Sequence, residues 1–75
     1  MISAGEVRQV VEDGEMIENY PADARGHGCL MLGHGESARP IHVVCAWKED
    51  YLAIITAYIP DAKEWTDSFR TRRKP

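Results

Sequence analysis

Several features that define large protein classes are missing from this sequence of 75 residues. Its two cysteines, Cys29 and Cys45, are too few for the disulfide framework of a small secreted domain. The longest apolar runs, such as residues 43–47, are much shorter than a membrane-crossing helix. The N-terminus also lacks the charged and then apolar pattern of a secretory signal. We therefore expect a cytoplasmic protein with no membrane segment, whose two thiols are reduced and buried in the core.

The motifs of the common nucleotide-binding, serine hydrolase and zinc protease sites are also missing. The sequence has two closely spaced glycine pairs, Gly26-x-Gly28 and Gly33-x-Gly35. Neither pair stands between a predicted strand and a predicted helix, as the glycines of a phosphate-binding motif do. His27, Cys29 and His34 form a loose cluster, but a structural zinc site needs four ligands at characteristic spacings. We therefore predict no metal site and no cofactor, and interpret His27 and His34 as loop residues beside glycines.

The chain is long enough for a single small domain over residues 1–75, with little buried surface to stabilise it. The net charge of −3 is unevenly distributed. Residues 1–24 contain six acids and one base, whereas the basic tail, residues 70–75, contains four bases and no acid. Such a tail could follow the phosphates of a nucleic acid, or it could be a solvated end that keeps the domain soluble.

The first half of the chain begins with signals for a short helix. Ser3-x-x-Glu6 fits a capping box, in which the hydroxyl and the carboxylate each accept a hydrogen bond from a free backbone N–H. Three valines follow at helical spacing, which predicts a helix over residues 4–13. Gly14, which can take a positive φ without strain, is expected to end this helix.

Four strands are predicted after the helix, and they span residues 15–20, 29–32, 41–48 and 51–59. The last two are rich in β-branched and aromatic residues and apolar on both faces, so we expect them in the centre of the sheet. Residues 61–70 predict a short helix or a docked tail, with Trp65 and Phe69 as its anchors. The order predicts an α+β fold with a mostly antiparallel four-stranded sheet.

Polar residues in and beside these strands are the candidates for chemistry. His42 interrupts an apolar strand, so it is either a hydrogen-bonded structural residue or a general acid/base. Arg25 and Arg39 lie in loops at strand ends, where contacts with phosphates are easily made. Tyr20 and Tyr58, near strand ends, could stack on bases or act through their hydroxyls, or simply border the core.

A series of short motifs also runs along nearly the whole chain. The motifs are Ile2-Ser3, Val7-x-x-Val10-x-x-x-Gly14-Glu15-x-Ile17-Glu18-x-Tyr20-Pro21, Cys29-Leu30-x-Leu32-Gly33, Arg39-Pro40-Ile41-His42-Val43-Val44, Ile54-Ile55-Thr56-x-Tyr58-x-Pro60-Asp61 and Trp65-x-x-x-Phe69-x-x-Arg72. In this order the series resembles the family called domain of unknown function 4258.

The resemblance implies a fold similar to the RelE/ParE group of bacterial toxins, with a small zinc-finger antitoxin as the partner. It implies RNA cleavage by attack of a ribose 2′-hydroxyl on the neighbouring phosphodiester. Arg39, His42 and Tyr58 would then stabilise the charged phosphate and transfer protons. Contacts with the RNA backbone would come from loop and tail arginines: Arg25, Arg70, Arg72 and Arg73.

The sequence departs from the family pattern at its N-terminus. Family members usually carry a preceding helix with a His-Ala-x-x-Arg-Met type of motif, and this chain begins at the Ile2-Ser3 position. We therefore expect either a toxin-like ribonuclease or a catalytically inactive protein-binding or homodimeric module of the same fold. The ribonuclease hypothesis requires Arg39, His42 and Tyr58 to meet at one open cleft. The module hypothesis predicts that His42 is buried and bonded to backbone.

Overall fold

The computed structural model describes residues 1–21 and 26–74. In chain order the elements are α1 (Ala4–Asp13), β1 (Glu15–Tyr20), β2 (His27–His34), a short 3-10 turn (Glu36–Ala38), β3 (Pro40–Trp47), β4 (Leu52–Tyr58), β5 (Trp65–Thr66) and β6 (Thr71–Arg72). The first four strands form an antiparallel sheet in the order β1-β2-β3-β4, and β5 and β6 form a separate ribbon. The predicted α+β class is confirmed, whereas the relation to the RelE/ParE group stays a prediction.

Helix α1 begins and ends where the sequence predicts. The Ser3 hydroxyl accepts a hydrogen bond from the Glu6 N–H, and the Glu6 carboxylate accepts one from the Ser3 N–H. Gly14 ends the helix as predicted, and it does so with a φ of −79°, so it does not use the positive φ open to glycine. Glycine is required there for another reason: a Cβ would lie 2.5 Å from the carbonyl oxygens of Val10 and Leu32.

Two strands differ from their predictions in length or position. β2 is longer than the predicted strand over residues 29–32, because its end residues His27 and His34 pair with Trp47 and Pro40 of β3. The prediction that the last strand lies centrally is wrong for β4, which forms an edge of the sheet. The physical reason is that the strands after β4 form a separate ribbon, so no later strand of the described residues pairs with it.

The two faces of the sheet are covered by different parts of the chain. Helix α1 covers one face, where Val10 packs against Ile41 and Val43 of β3. The helix approaches β2 so closely that a Cβ on Gly33 would lie 2.9 Å from the Val10 side chain. Because side chains alternate along a strand, His42 points to the opposite face. The C-terminal part of the chain covers that face.

The C-terminal segment over residues 65–72 crosses this second face, and we call it the strap. Trp65 of the strap is buried against the sheet, so the prediction of a docked tail is confirmed. The alternative prediction of a helix is wrong. Asp67, Ser68 and Phe69 have φ values of 53°, 54° and 70°, which a right-handed helix does not allow. These three residues form the turn that joins β5 to β6.

Glu6 is a buried carboxylate that links α1 to the turn before β3. It accepts hydrogen bonds from the Arg39 guanidinium at 2.7 and 3.1 Å and from the Glu36 N–H at 2.9 Å, in addition to the capping bond with Ser3. The bonds from Arg39, then those from the backbone N–H groups, lower the pKa of Glu6 from 4.5 to about 2. The ionised form therefore stabilises the fold.

Replacing Glu6 by glutamine is expected to destabilise the chain in a pH-dependent way. The folded pKa lies below the unfolded one, so the stabilisation is present above pH 4.5 and disappears as the pH falls toward about 2. Urea midpoints of wild type and Glu6→Gln should therefore differ most at neutral pH and converge in acid. Asp13→Asn, an exposed change on the same helix, is the control. A Glu6→Gln difference that does not vary with pH would contradict this account.

Within the two described ranges, no helix is long and apolar enough to cross a membrane.

Candidate functional site

His42 lies in the middle of the sheet and is completely buried. It stands in register between Leu32 of β2 and Tyr58 of β4. The Tyr58 hydroxyl is 3.1 Å from His42 Nδ1, and the Phe69 carbonyl oxygen of the strap is 2.9 Å from Nε2. The Trp65 ring packs edge-on against the imidazole with ring centroids 4.4 Å apart. Both ring nitrogens and one ring face are therefore occupied by protein groups.

These contacts fix the tautomer of neutral His42. A carbonyl oxygen can only accept, so Nε2 carries the hydrogen and donates it to Phe69. Nδ1 is then free to accept the hydrogen of the Tyr58 hydroxyl. Burial lowers the pKa of His42 below 6.5 and outweighs the opposite effect of the Phe69 hydrogen bond. His42 is thus a neutral imidazole whose donor and acceptor are both satisfied.

The strap is held to β1 by charged pairs. The guanidinium of Arg72 binds the Glu18 carboxylate at 2.8 and 3.1 Å and lies 4.7 Å from the centre of the Trp65 ring. Burial alone would raise the pKa of Glu18, but the hydrogen bonds from Arg72 and the Tyr20 hydroxyl lower it overall. These contacts keep the strap over His42.

Of the three predicted catalytic residues, the structure brings His42 and Tyr58 together but not Arg39. The Arg39 guanidinium binds Glu6 and the Met1 carbonyl oxygen on the helix side of the sheet. His42 and Tyr58 contact each other on the opposite face, which the strap covers. The three residues therefore do not line one open cleft. Their catalytic role stays a prediction.

The predicted RNA-binding arginines of the tail already have partners within the chain. Arg70 forms an ion pair with Glu15 at 2.7 Å, and Arg72 forms one with Glu18. Arg73 donates a hydrogen bond to the Ala62 carbonyl oxygen at 2.9 Å. Arg25 lies outside the described residues. Phosphate contacts by the three tail arginines would therefore compete with these intramolecular bonds.

The loose cluster of histidine and cysteine does not converge in the fold. His27 and His34 stand at opposite ends of β2. The residues of the described ranges contain no group of three or more histidine, cysteine or acidic side chains that could hold a metal ion. His27 instead contacts the Asn19 side chain and the Trp47 ring.

The uncovered edge of the sheet, β4, is a second candidate site. Its sequence over Leu52–Tyr58 contains neither a charged residue nor a proline. The other edge strand, β1, carries Glu15 and Glu18, a register shift and the ion pairs of the strap. Charges, prolines and bulges are the usual means by which proteins prevent an edge strand from pairing with another chain. Within β4 as the structure describes it, the register shift against β3 is the one feature of this kind.

Exposed apolar side chains are concentrated along β4. Among the described residues, six large hydrophobic side chains are exposed, and four of these lie in β4 or directly beside it: Trp47, Tyr51, Ile54 and Ile59. A groove of about 590 Å³ runs between α1 and β4 and has Ala4, Val7, Arg8, Val11, Glu12, Leu52 and Ile54 as its lining. We call the β4 edge and this groove the β4 surface. Sequence analysis missed it, although the lack of charge over residues 51–59 was a readable signal.

Comparison with known families places residues 1–59 within the family described as Domain of unknown function (DUF4258). Searches of curated proteins and of solved structures found no match. The matched range includes α1 and all four strands of the main sheet, with His42 and Tyr58, and it ends before the strap. The resemblance noted for residues 65–72 therefore lies outside it. Because the match covers most of the sequence, this chain belongs to the DUF4258 family.

Proposed function

We propose that this chain is a non-catalytic protein-binding module and that the β4 surface is its docking site. The observation that carries the proposal is an edge strand without charge or proline, bordered by exposed large apolar side chains and an apolar groove. An added strand would satisfy the free N–H and C=O groups of β4. Side chains of the partner would fill the groove beside α1.

The surroundings of His42 support a structural role over a catalytic one. A general acid/base must reach the substrate, directly or through one water. His42 is fully buried, and its two nitrogens bind Tyr58 and the Phe69 carbonyl oxygen. The ion pairs of the tail arginines also reduce the positive charge available to RNA. Both features favour the protein-binding hypothesis.

The partner we propose for the β4 surface is a second copy of the chain. Two β4 strands related by a two-fold axis run antiparallel, which continues the antiparallel pattern of the sheet. Because β4 has no charged residue, no like charges meet between the two paired β4 strands. The described part of the chain buries nine hydrophobic residues in its core, so each copy gains apolar burial that a domain of this size otherwise lacks.

Sedimentation equilibrium over a range of concentrations tests this proposal. We expect the wild-type chain to form a dimer that dissociates on dilution. Ile54→Lys should weaken it roughly tenfold or more, which corresponds to about 1.4 kcal/mol, because it places a charge in the β4 surface. Met16→Lys is the matched control: Met16 is equally exposed (46% against 44%) but lies on β1. A wild-type chain that stays monomeric, or equal effects of the two lysines, would contradict the proposal.

RNA cleavage is the second candidate function, and one observation favours it. The His42–Tyr58 pair lies within the family-matched range, whereas the strap that covers it lies outside. Such a nuclease would need the strap to leave before RNA could reach His42. RNA cleavage by the purified chain, lost in a folded Tyr58→Phe variant, would establish this function. A zinc-finger antitoxin as partner stays a prediction of the family resemblance.

A further inference from the structure

Cys29 and Cys45 form a buried pair that neither the docking surface nor the His42 contacts use. Cys29 lies on β2 and Cys45 on β3, and the two residues stand directly opposite each other in the antiparallel ladder. Their sulfur atoms are 3.2 Å apart, and both side chains are buried. Both are free thiols.

The backbone at this pair is compatible with a disulfide. Directly opposed residues of antiparallel strands have Cα atoms about 4.5 Å or about 5.5 Å apart, depending on whether the pair is hydrogen-bonded. Both separations fall within the range of about 4.4–6.8 Å that disulfides span. The two side chains also share one face of the sheet, because opposed residues always do. A disulfide therefore requires movement of the side chains without a change of strand register.

We propose that Cys29 and Cys45 are a modification site, at which hydrogen peroxide oxidises the two thiols to a reversible cross-strand disulfide. In the first step one thiolate attacks the peroxide oxygen, which breaks the O–O bond, forms a sulfenic acid and releases water after protonation. In the second step the other thiol attacks the sulfenic sulfur, forms the S–S bond and releases a second water. The peroxide accepts two electrons and the protein loses two hydrogen atoms.

The surroundings of the pair make the first step slow and the second fast. Both thiols are buried, so peroxide does not reach either sulfur in the closed fold. Burial, then the hydrogen bond with Cys29, also raises the pKa of Cys45, which disfavours its reactive thiolate. Oxidation therefore begins when the β2–β3 ladder opens locally. Once one sulfur is oxidised, the neighbouring thiol is already in contact with it. The disulfide should consequently form in preference to higher oxidation products.

The test is incubation of the full chain with hydrogen peroxide, followed by thiol titration and peptide mass mapping. We expect both thiols to be lost together, with one disulfide-linked peptide pair that dithiothreitol releases. The melting temperature should rise on oxidation and return on reduction, because the bond restricts the unfolded chain. Equilibration with oxidised and reduced glutathione in mild urea removes the barrier of slow opening. A chain that still carries two free thiols after that equilibration would overturn the proposal.

Single-cysteine variants provide the matched control. Cys29→Ala and Cys45→Ala each retain one thiol and have no resolving partner, so a sulfenic-acid trap such as dimedone should label them. The wild type should escape labelling because the second thiol reacts first. Dimedone labelling of the wild type at the rate of the single-cysteine variants would show that the thiols act independently and would also overturn the proposal. None of these outcomes depends on the β4 surface.

Discussion

Replacing His42 by alanine is expected to lower the free energy of unfolding by about 3 kcal/mol, the loss typical of truncating a large buried side chain. The imidazole is completely buried, and its removal leaves the Phe69 carbonyl oxygen and the Tyr58 hydroxyl without their partner. Each of the two lost hydrogen bonds accounts for about 1 kcal/mol of this total. Since small domains are stable by roughly 0.05–0.15 kcal/mol per residue, this loss would be a large part of the total.

Urea denaturation of His42→Ala measures this loss, and His34→Ala is the control because His34 is exposed. We expect His34→Ala to change the unfolding free energy by less than about 0.5 kcal/mol. If His42→Ala is too unstable to purify, Tyr58→Phe removes only the hydroxyl and should cost about 1 kcal/mol. A His42→Ala chain as stable as wild type would mean that His42 is not a structural residue, and would revive the catalytic hypothesis.

His42 also makes the stability of the fold depend on pH. Because the folded pKa of His42 lies below the ordinary value of 6.5, the unfolded chain binds the proton more readily. The stabilisation from neutral His42 is therefore present above pH 6.5 and is lost as the pH falls through the folded pKa. Wild type should lose stability below pH 6.5, and Tyr58→Phe should retain this dependence because its imidazole stays buried.

Trp65→Ala is expected to cost about 3 kcal/mol as well, since buried tryptophan is among the most costly residues to truncate. Trp65 anchors the strap: it is only 4% exposed, packs against His42 and lies beneath the Arg72 guanidinium. Without it the strap should detach from the sheet face. We then expect His42 to react with diethyl pyrocarbonate, whereas in the wild type its burial should protect it.

Trp47→Ala is the matched control for this change. Trp47 is 41% exposed and lies at the end of β3, so we expect a loss below about 1 kcal/mol and no change in His42 reactivity. Both variants are measured at concentrations where the chain is monomeric, since Trp47 borders the β4 surface. Equal losses for the two tryptophans would mean that the strap contributes little to stability.

Local signals in the sequence predicted most of the fold. The capping box of Ser3 and Glu6 placed the start of α1, because both groups lie within one turn of the chain. β-Branched residues located β3 and β4. The tail could not be predicted in the same way, since Trp65 and Phe69 are at helical spacing while Asp67 and Ser68 adopt positive φ values. That conformation depends on the sheet face beneath it.

The candidate site was less predictable because its contacts join distant parts of the chain. Arg39 could be identified as a loop arginine, but its partner Glu6 is 33 positions away and was assigned only to capping. His42 was recognised as unusual, and the two explanations for it differed only in its burial. The residues around His42 in the sequence give no sign that it is buried, because the strap that covers it begins more than twenty residues later.

The central claim is that β4 pairs with a strand of a second copy, and amide hydrogen exchange along β4 tests it most directly. Residue-resolved exchange should be measured over Leu52–Tyr58 at high and low protein concentration, in wild type and in Ile54→Lys. The account predicts that the outward-facing N–H groups of β4 are protected in concentrated wild type and lose protection on dilution or in the variant. Rapid exchange of these amides in concentrated wild type, as in the variant, would contradict it.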